Sequence, residues 1–181
     1  GCIATRVETV NPLPAAITGT AYVCIGNTTT LSDATPGGTW ASGSPAVATI
    51  GATSGIVYAV SSGTSVVSYI LPTSCQVTTL VTVNPLPAAI AGTLAVCTGA
   101  TTGLTDATGA GTWSSSSVLT AGVGSLTGIV NGITAGVASI SYTVPSGCSA
   151  VKSVTVMGLP APISGALSVC ADASALLTDT V

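Results

Sequence analysis

A repeat of 73 residues, free of insertions and deletions, constrains this chain more than any other feature. Cys2 recurs at Cys75 and Cys148, Cys24 at Cys97 and Cys170, and Trp40 at Trp113. Asp33 recurs at Asp106 and Asp179, Tyr69 at Tyr142, and Pro72 at Pro145. Residues 11–83 and 84–156 are two whole copies, identical at 36 of 73 positions. Residues 1–10 read as the last strand of a preceding copy, and residues 157–181 as the first strands of a following one. A period this strict means one structural unit used repeatedly. Arrays of that kind span distance or present many weak sites.

Within each copy the pattern is β. Short runs of Val, Ile, Thr and Tyr alternate with Gly, Ser and Pro clusters,. The clearest alternation sets Ile140, Tyr142 and Val144 on one face and Ser139, Ser141 and Thr143 on the other, which describes a half-buried strand. The first copy predicts seven strands: a first that starts at 15–17, then 28–33, 39–42, 47–50, 56–60, 65–71 and 77–83. Seven short strands in so small a unit predict an all-β fold, a Greek-key β-sandwich repeated in an extended array. A parallel β-helix would repeat at a shorter period. The junctions carry NPLPAAI at 11–17 and at 84–90, and MGLPAPI at 157–163. Proline there stiffens the connections.

Composition removes several classes of function. Arg6 and Lys152 are the only cations, there is no His, and net charge is −3. Nucleic-acid binding needs a dense cationic surface, so it is excluded. The apolar fraction of 47% argues against disorder,. Gly, Ser, Thr and Pro interrupt every apolar run well short of the ~18 residues a membrane helix needs. General acid–base and nucleophilic catalysis need a His, a carboxylate pair or an activated nucleophile. None is evident, so the chain reads as non-enzymatic, with no cofactor and no metal. Ser and Thr supply 52 of 181 residues. The surface is therefore solvated by hydroxyls rather than charges, and low net charge favours self-association.

The string GTWASGSPAVATIGATSGIVYAVSSGTSVVSYIL at 38–71 resembles the bacterial Ig-like group 2 repeat. The preceding segment 23–35 has the form V-C-x-G-x-T-T-x-L-x-D-A-T. With it, the unit looks like the tandem Ig-like repeats of very large secreted Bacteroidota surface proteins. Both complete copies carry most of the pattern, although copy 2 has Thr120-Ala121-Gly122-Val123 where copy 1 has Val47-Ala48-Thr49-Ile50. The resemblance implies cell-surface or extracellular arrays, often adhesins. Partners would then be neighbouring copies and other fibre copies, with cell-surface or matrix glycans as a second class.

Cys24 and Cys75 lie 51 residues apart, as do Cys97 and Cys148. Pairing within each copy gives one disulfide per repeat at one pole of the sandwich. Cys2 and Cys170 would then pair outside residues 1–181. Pairing between copies, such as Cys75 with Cys97, is the competing connectivity. Metal binding would call for a CxxC motif, a His or clustered carboxylates. Trp40, Trp113, Tyr69 and Tyr142 are expected in the core, with a sugar-stacking platform as the rival role for the tryptophans. Asp33, Asp106 and Asp179 read as turn residues bonding to nearby backbone, because one carboxylate per repeat cannot cage calcium. The Thr28-Thr29-Thr30 run would serve ice binding only as part of a flat lattice, and Gly103 interrupts its copy. Glu8 stands where the copies have Val81 and Val154, with Arg6 two residues away as its candidate partner.

Overall fold

The computed structural model describes residues 2–165 and 168–178. Copy 1 forms eight strands: β1 (Thr18–Gly19), β2 (Tyr22–Cys24), β3 (Thr28–Ser32), β4 (Thr39–Ser42), β5 (Ala48–Ile50), β6 (Ile56–Ala59), β7 (Gly63–Ile70) and β8 (Gln76–Asn84). Copy 2 repeats the set: β9 (Ala91–Gly92), β10 (Ala95–Cys97), β11 (Thr101–Thr105), β12 (Thr112–Ser115), β13 (Ala121–Val123), β14 (Ile129–Gly132), β15 (Gly136–Thr143) and β16 (Ser149–Met157). No helix occurs among the described residues. By contacts the chain divides into two compact units. Unit 1 is Gly1–Leu86 with Ser146–Cys148, and unit 2 is Pro87–Pro145 with Ser149–Val181.

Each copy contains two four-stranded sheets. In copy 1 the orders are β1-β3-β6-β5 and β2-β8-β7-β4. In copy 2 they are β9-β11-β14-β13 and β10-β16-β15-β12. Lettered A to G along the chain, β1-β3-β6-β5 is the A-B-E-D sheet of an immunoglobulin domain, and β8-β7-β4 is its G-F-C sheet. This is a Greek-key β-sandwich, the fold class that the strand count predicts.

Two features of the first strand differ from the prediction. The strand expected to start at 15–17 begins only at Thr18 and ends at Gly19, and the proline segment before it forms no regular strand. The chain then changes sheets. Gly19 has φ +112°, and a Cβ there would run into the Thr30 carbonyl and the Leu31 backbone. Glycine therefore permits a turn that other residues would strain. Beyond it, β2 pairs in parallel with β8, Tyr22 opposite Thr82 and Cys24 opposite Asn84. Gly92, with φ +126°, repeats this switch in copy 2.

The cores follow from side-chain alternation. In β7, Ser65, Val67 and Tyr69 point inward and Val66 outward. In β8, Val81 and Val83 point inward and Leu80 outward. Leu31, Trp40, Ala48, Val57, Val67, Tyr69, Val81 and Val83 form one buried cluster. Leu104, Trp113, Ala121, Val130, Ile140, Tyr142, Val154 and Val156 form the other. Residues 2–10, expected as a last strand, are exposed and in no strand. Arg6 and Glu8 are both exposed. Among the described residues of 158–178 the one pairing is the bridge Ser164–Thr178. It falls in the register of Thr18 with Ser32.

Candidate functional site

Two constructions recur in each copy: a clamp around the core tyrosine, and the cysteines at the poles.

The clamp begins with the cross-strand pair Trp40–Tyr69 of β4 and β7. Their rings are 4.8 Å apart and inclined by 52°; Trp113 and Tyr142 are 4.7 Å apart and inclined by 49°. Both tryptophans are 7% exposed. That burial denies a sugar ring access to their faces. Each tyrosine hydroxyl reaches the loop before the Trp strand. The Gly38 N–H donates to Tyr69 Oη at 2.9 Å, and the Tyr69 hydroxyl donates to the Thr35 carbonyl at 2.6 Å. In copy 2 the Gly111 N–H donates to Tyr142 Oη at 2.8 Å. A Cβ on Gly38 would lie 2.5 Å from the Tyr69 ring, so the loop approaches closely only as glycine.

Asp33 closes the same loop by accepting the Thr35 N–H on Oδ1 at 2.8 Å, as Asp106 does from Thr108. These are the turn contacts expected of short carboxylates. The other oxygen, Oδ2, is buried and unbonded in both. Thr35 Oγ1 then accepts the Ala15 N–H at 2.8 Å, and Thr108 Oγ1 accepts the Ala88 N–H at 2.7 Å. The proline segment at the entrance of each copy is thus tied to its loop. Asp179 lies outside the described residues. A cleft of about 270 Å³ borders this loop in copy 2, lined by Leu104, Asp106, Gly111, Trp113, Leu126 and Tyr142. Among the described residues no three His, Cys, Asp or Glu side chains come together.

The threonine run is divided by the pleat. Thr29 donates its hydroxyl to the Thr20 carbonyl at 2.9 Å, as Thr102 does to Thr93 at 3.1 Å. That hydroxyl holds the chain where it changes sheets and is not presented as part of a flat lattice. Two aromatics the sequence reading did not single out, Tyr22 and Tyr58, are 62% and 51% exposed. Their counterparts in copy 2 are Ala95 and Asn131, so they do not form a repeated aromatic row.

The cysteines require a correction. The structure bonds Cys24 to Cys148, with Cα atoms 5.7 Å apart. The pairs expected within each copy, Cys24–Cys75 and Cys97–Cys148, are not formed. The reason is β2. Its parallel pairing sets Cys24 opposite Asn84, the last residue of β8. Cys75 immediately precedes β8, at the other end. Nine residues of strand separate the two levels, roughly 30 Å at ~3.4 Å per residue. A disulfide needs Cα atoms within about 7 Å. Copy 2 repeats the obstacle, with Cys97 opposite Met157 and Cys148 just before β16. Cys2, Cys75, Cys97 and Cys170 are thiols. Nor is Cys75 bonded to Cys97, the alternative between copies.

No protein-family model and no curated protein matches the chain. Among solved structures, it is similar to domains 4 and 5 of the S-layer protein SbsC (19% identity, TM-score 0.40, 81% of this chain and 100% of that one). It is similar to a C-terminal fragment of intimin in complex with the intimin-binding domain of the translocated intimin receptor (15%, TM-score 0.49, 82% and 67%). A third is mouse cadherin-23 EC22–24 (11%, TM-score 0.32, 81% and 65%). The chain spans less than a third of the longer SbsC structure of domains 1–6. No helix of the described residues is long and apolar enough to cross a membrane.

Proposed function

We propose that the chain is part of a non-enzymatic extracellular fibre, structural or adhesive, built from Ig-like repeats of the bacterial group 2 type found in large Bacteroidota surface proteins. The single observation that carries this reading is the identity of the unit. The same eight strands, the same tyrosine clamp and the same proline entrance recur in one uninterrupted register. A disulfide of this kind persists in an oxidising, extracellular compartment. The outer faces favour contact between fibres. In copy 1 the exposed face of β7 and β8 carries Val66, Leu80, Thr64 and Thr78, and Asp33 is the only charged residue in 11–83. Neighbouring fibres would meet there with little electrostatic repulsion.

The competing reading is a passive stalk that extends an adhesive tip. Light scattering and electron microscopy of purified protein across a concentration series separate the two. Lateral bundles support the filament. Single threads at every concentration overturn it in favour of the stalk. A glycan- or ice-binding module is the third class, tested by a glycan array and by thermal hysteresis.

A further inference from the structure

The Cys24–Cys148 bond combines with the 73-residue register to give a rule. In sequence, Cys24 belongs to copy 1 and Cys148 to copy 2, and their separation of 124 is one repeat more than the 51 between Cys24 and Cys75. We infer that the bond recurs at every step of the array. The first cysteine of each copy would bond the second cysteine of the next. Cys97 is then half of a bond to the copy that follows 84–156, and Cys75 half of a bond to the copy that precedes 11–83.

Local geometry supports the rule independently of the arithmetic. Cys97 ends β10 opposite Met157, as Cys24 ends β2 opposite Asn84. It is exposed and carries a thiol. Cys75 sits in the same turn as Cys148. Its Sγ lies 3.7 Å from the Asn11 carbonyl, as the Cys148 sulfur lies 4.0 Å from that of Asn84. Asn11 and Asn84 are equivalent residues at the entrances of their copies. Each thiol therefore stands where its bonded counterpart stands, and the opposite ends of each copy keep the two from meeting each other.

Each bond joins two thiol sulfurs. Two protons and two electrons leave, and a disulfide-bearing oxidant takes them up by exchange and becomes two thiols. The consequence is covalent redundancy. Successive copies are joined once by the peptide and once by sulfur, so a backbone cut at a proline entrance leaves the fibre continuous. This inference rests on the pairing and the register, not on the adhesive role.

Two measurements test it. The first inserts a protease site after the exposed Leu86, before Pro87. After cleavage the two fragments stay together without reductant and part with it, and Cys24→Ser parts them in either condition. Intact tryptophan fluorescence in the C24S protein shows that it has folded. Fragments that separate without reductant overturn the bond itself. The second extends the chain in register by a third complete copy and labels it with maleimide under non-denaturing conditions. In the 181-residue chain both Cys75 and Cys97 label. In the extended chain Cys97 loses its labelling and Cys75 keeps it. Continued labelling of Cys97, or a Cys97–Cys148 peptide on mapping without reduction, overturns the ladder whether or not the protein forms fibres.

Discussion

Tyr69 shows how a chain with few charges still fixes its loops. Its ring packs on Trp40, and its hydroxyl both accepts from Gly38 and donates to Thr35. Tyr142 accepts from Gly111. Each buried hydrogen bond contributes about 1 kcal/mol. Tyr69→Phe should therefore cost about 2 kcal/mol and Tyr142→Phe about half of that. Urea unfolding followed by tryptophan fluorescence measures both. Gly38→Ala should cost about 1–3 kcal/mol, because the added methyl meets the Tyr69 ring,. Asp33 separates two contributions. Asp33→Ala loses the turn bond to Thr35, about 1 kcal/mol, whereas Asp33→Asn keeps it and replaces an unbonded buried oxygen,. The asparagine variant should be the more stable of the two in the same assay. Side-chain alternation in the sequence places Tyr142 on an inward face. It does not reveal the reach of the hydroxyls, because the loop they hold is set by contacts between distant residues rather than by local pattern.

At the scale of the element, most strands were legible, down to the four residues of β4 expected at 39–42, and β2 was not. β7 and β8 announce themselves by period-2 alternation over eight and nine residues. β2 has three residues, too few for any period to emerge. It forms because Gly19 lets the chain leave one sheet and because β8 offers a free edge to Ala21–Ile25. The Thr82 N–H donates to the Ala21 carbonyl at 2.9 Å, and the Ile25 N–H donates to the Asn84 carbonyl at 3.0 Å. Missing this one strand was enough to misplace Cys24 by the length of the domain, and the cysteine pairing expected from the 51-residue spacing failed with it. Val23→Asp tests the dependence. Val23 is 7% exposed, and removing its burial costs about 1.5–3 kcal/mol, with the buried carboxylate adding to that. Besides lowering stability, the variant should release β2 and reduce the yield of the Cys24–Cys148 bond, counted by thiol titration. Undiminished oxidation would mean that Cys24 is positioned by something other than β2.

Across the whole molecule, what distinguishes the chain is the scarcity of charge: two cations, five anions and no histidine. That scarcity was plain in the composition, and the structure adds where the remaining polarity goes. Hydroxyls and backbone amides bond locally, as at Thr35 and Thr29, and Lys152 of β16 is the one charged residue in the sixteen strands. Two consequences can be measured. Salt acts on exposed charges over a Debye length of about 10 Å at 0.1 M. With so few charges to screen, stability and fibre association should be nearly flat from low salt to about 0.15 M. Stability changes with pH only where folded and unfolded states bind different numbers of protons. Histidine is the side chain that ordinarily changes charge between about pH 5 and 8, and the chain has none. The melting temperature should therefore hardly move across that range, with reductant absent throughout. A calorimetric series in pH, paired with light scattering in salt, decides the matter. A melting temperature that falls steeply within this range would show a protonation event at a group other than histidine. Association that weakens with salt would show that the fibre contacts depend on the few charges after all, and not on the uncharged residues of the sheets.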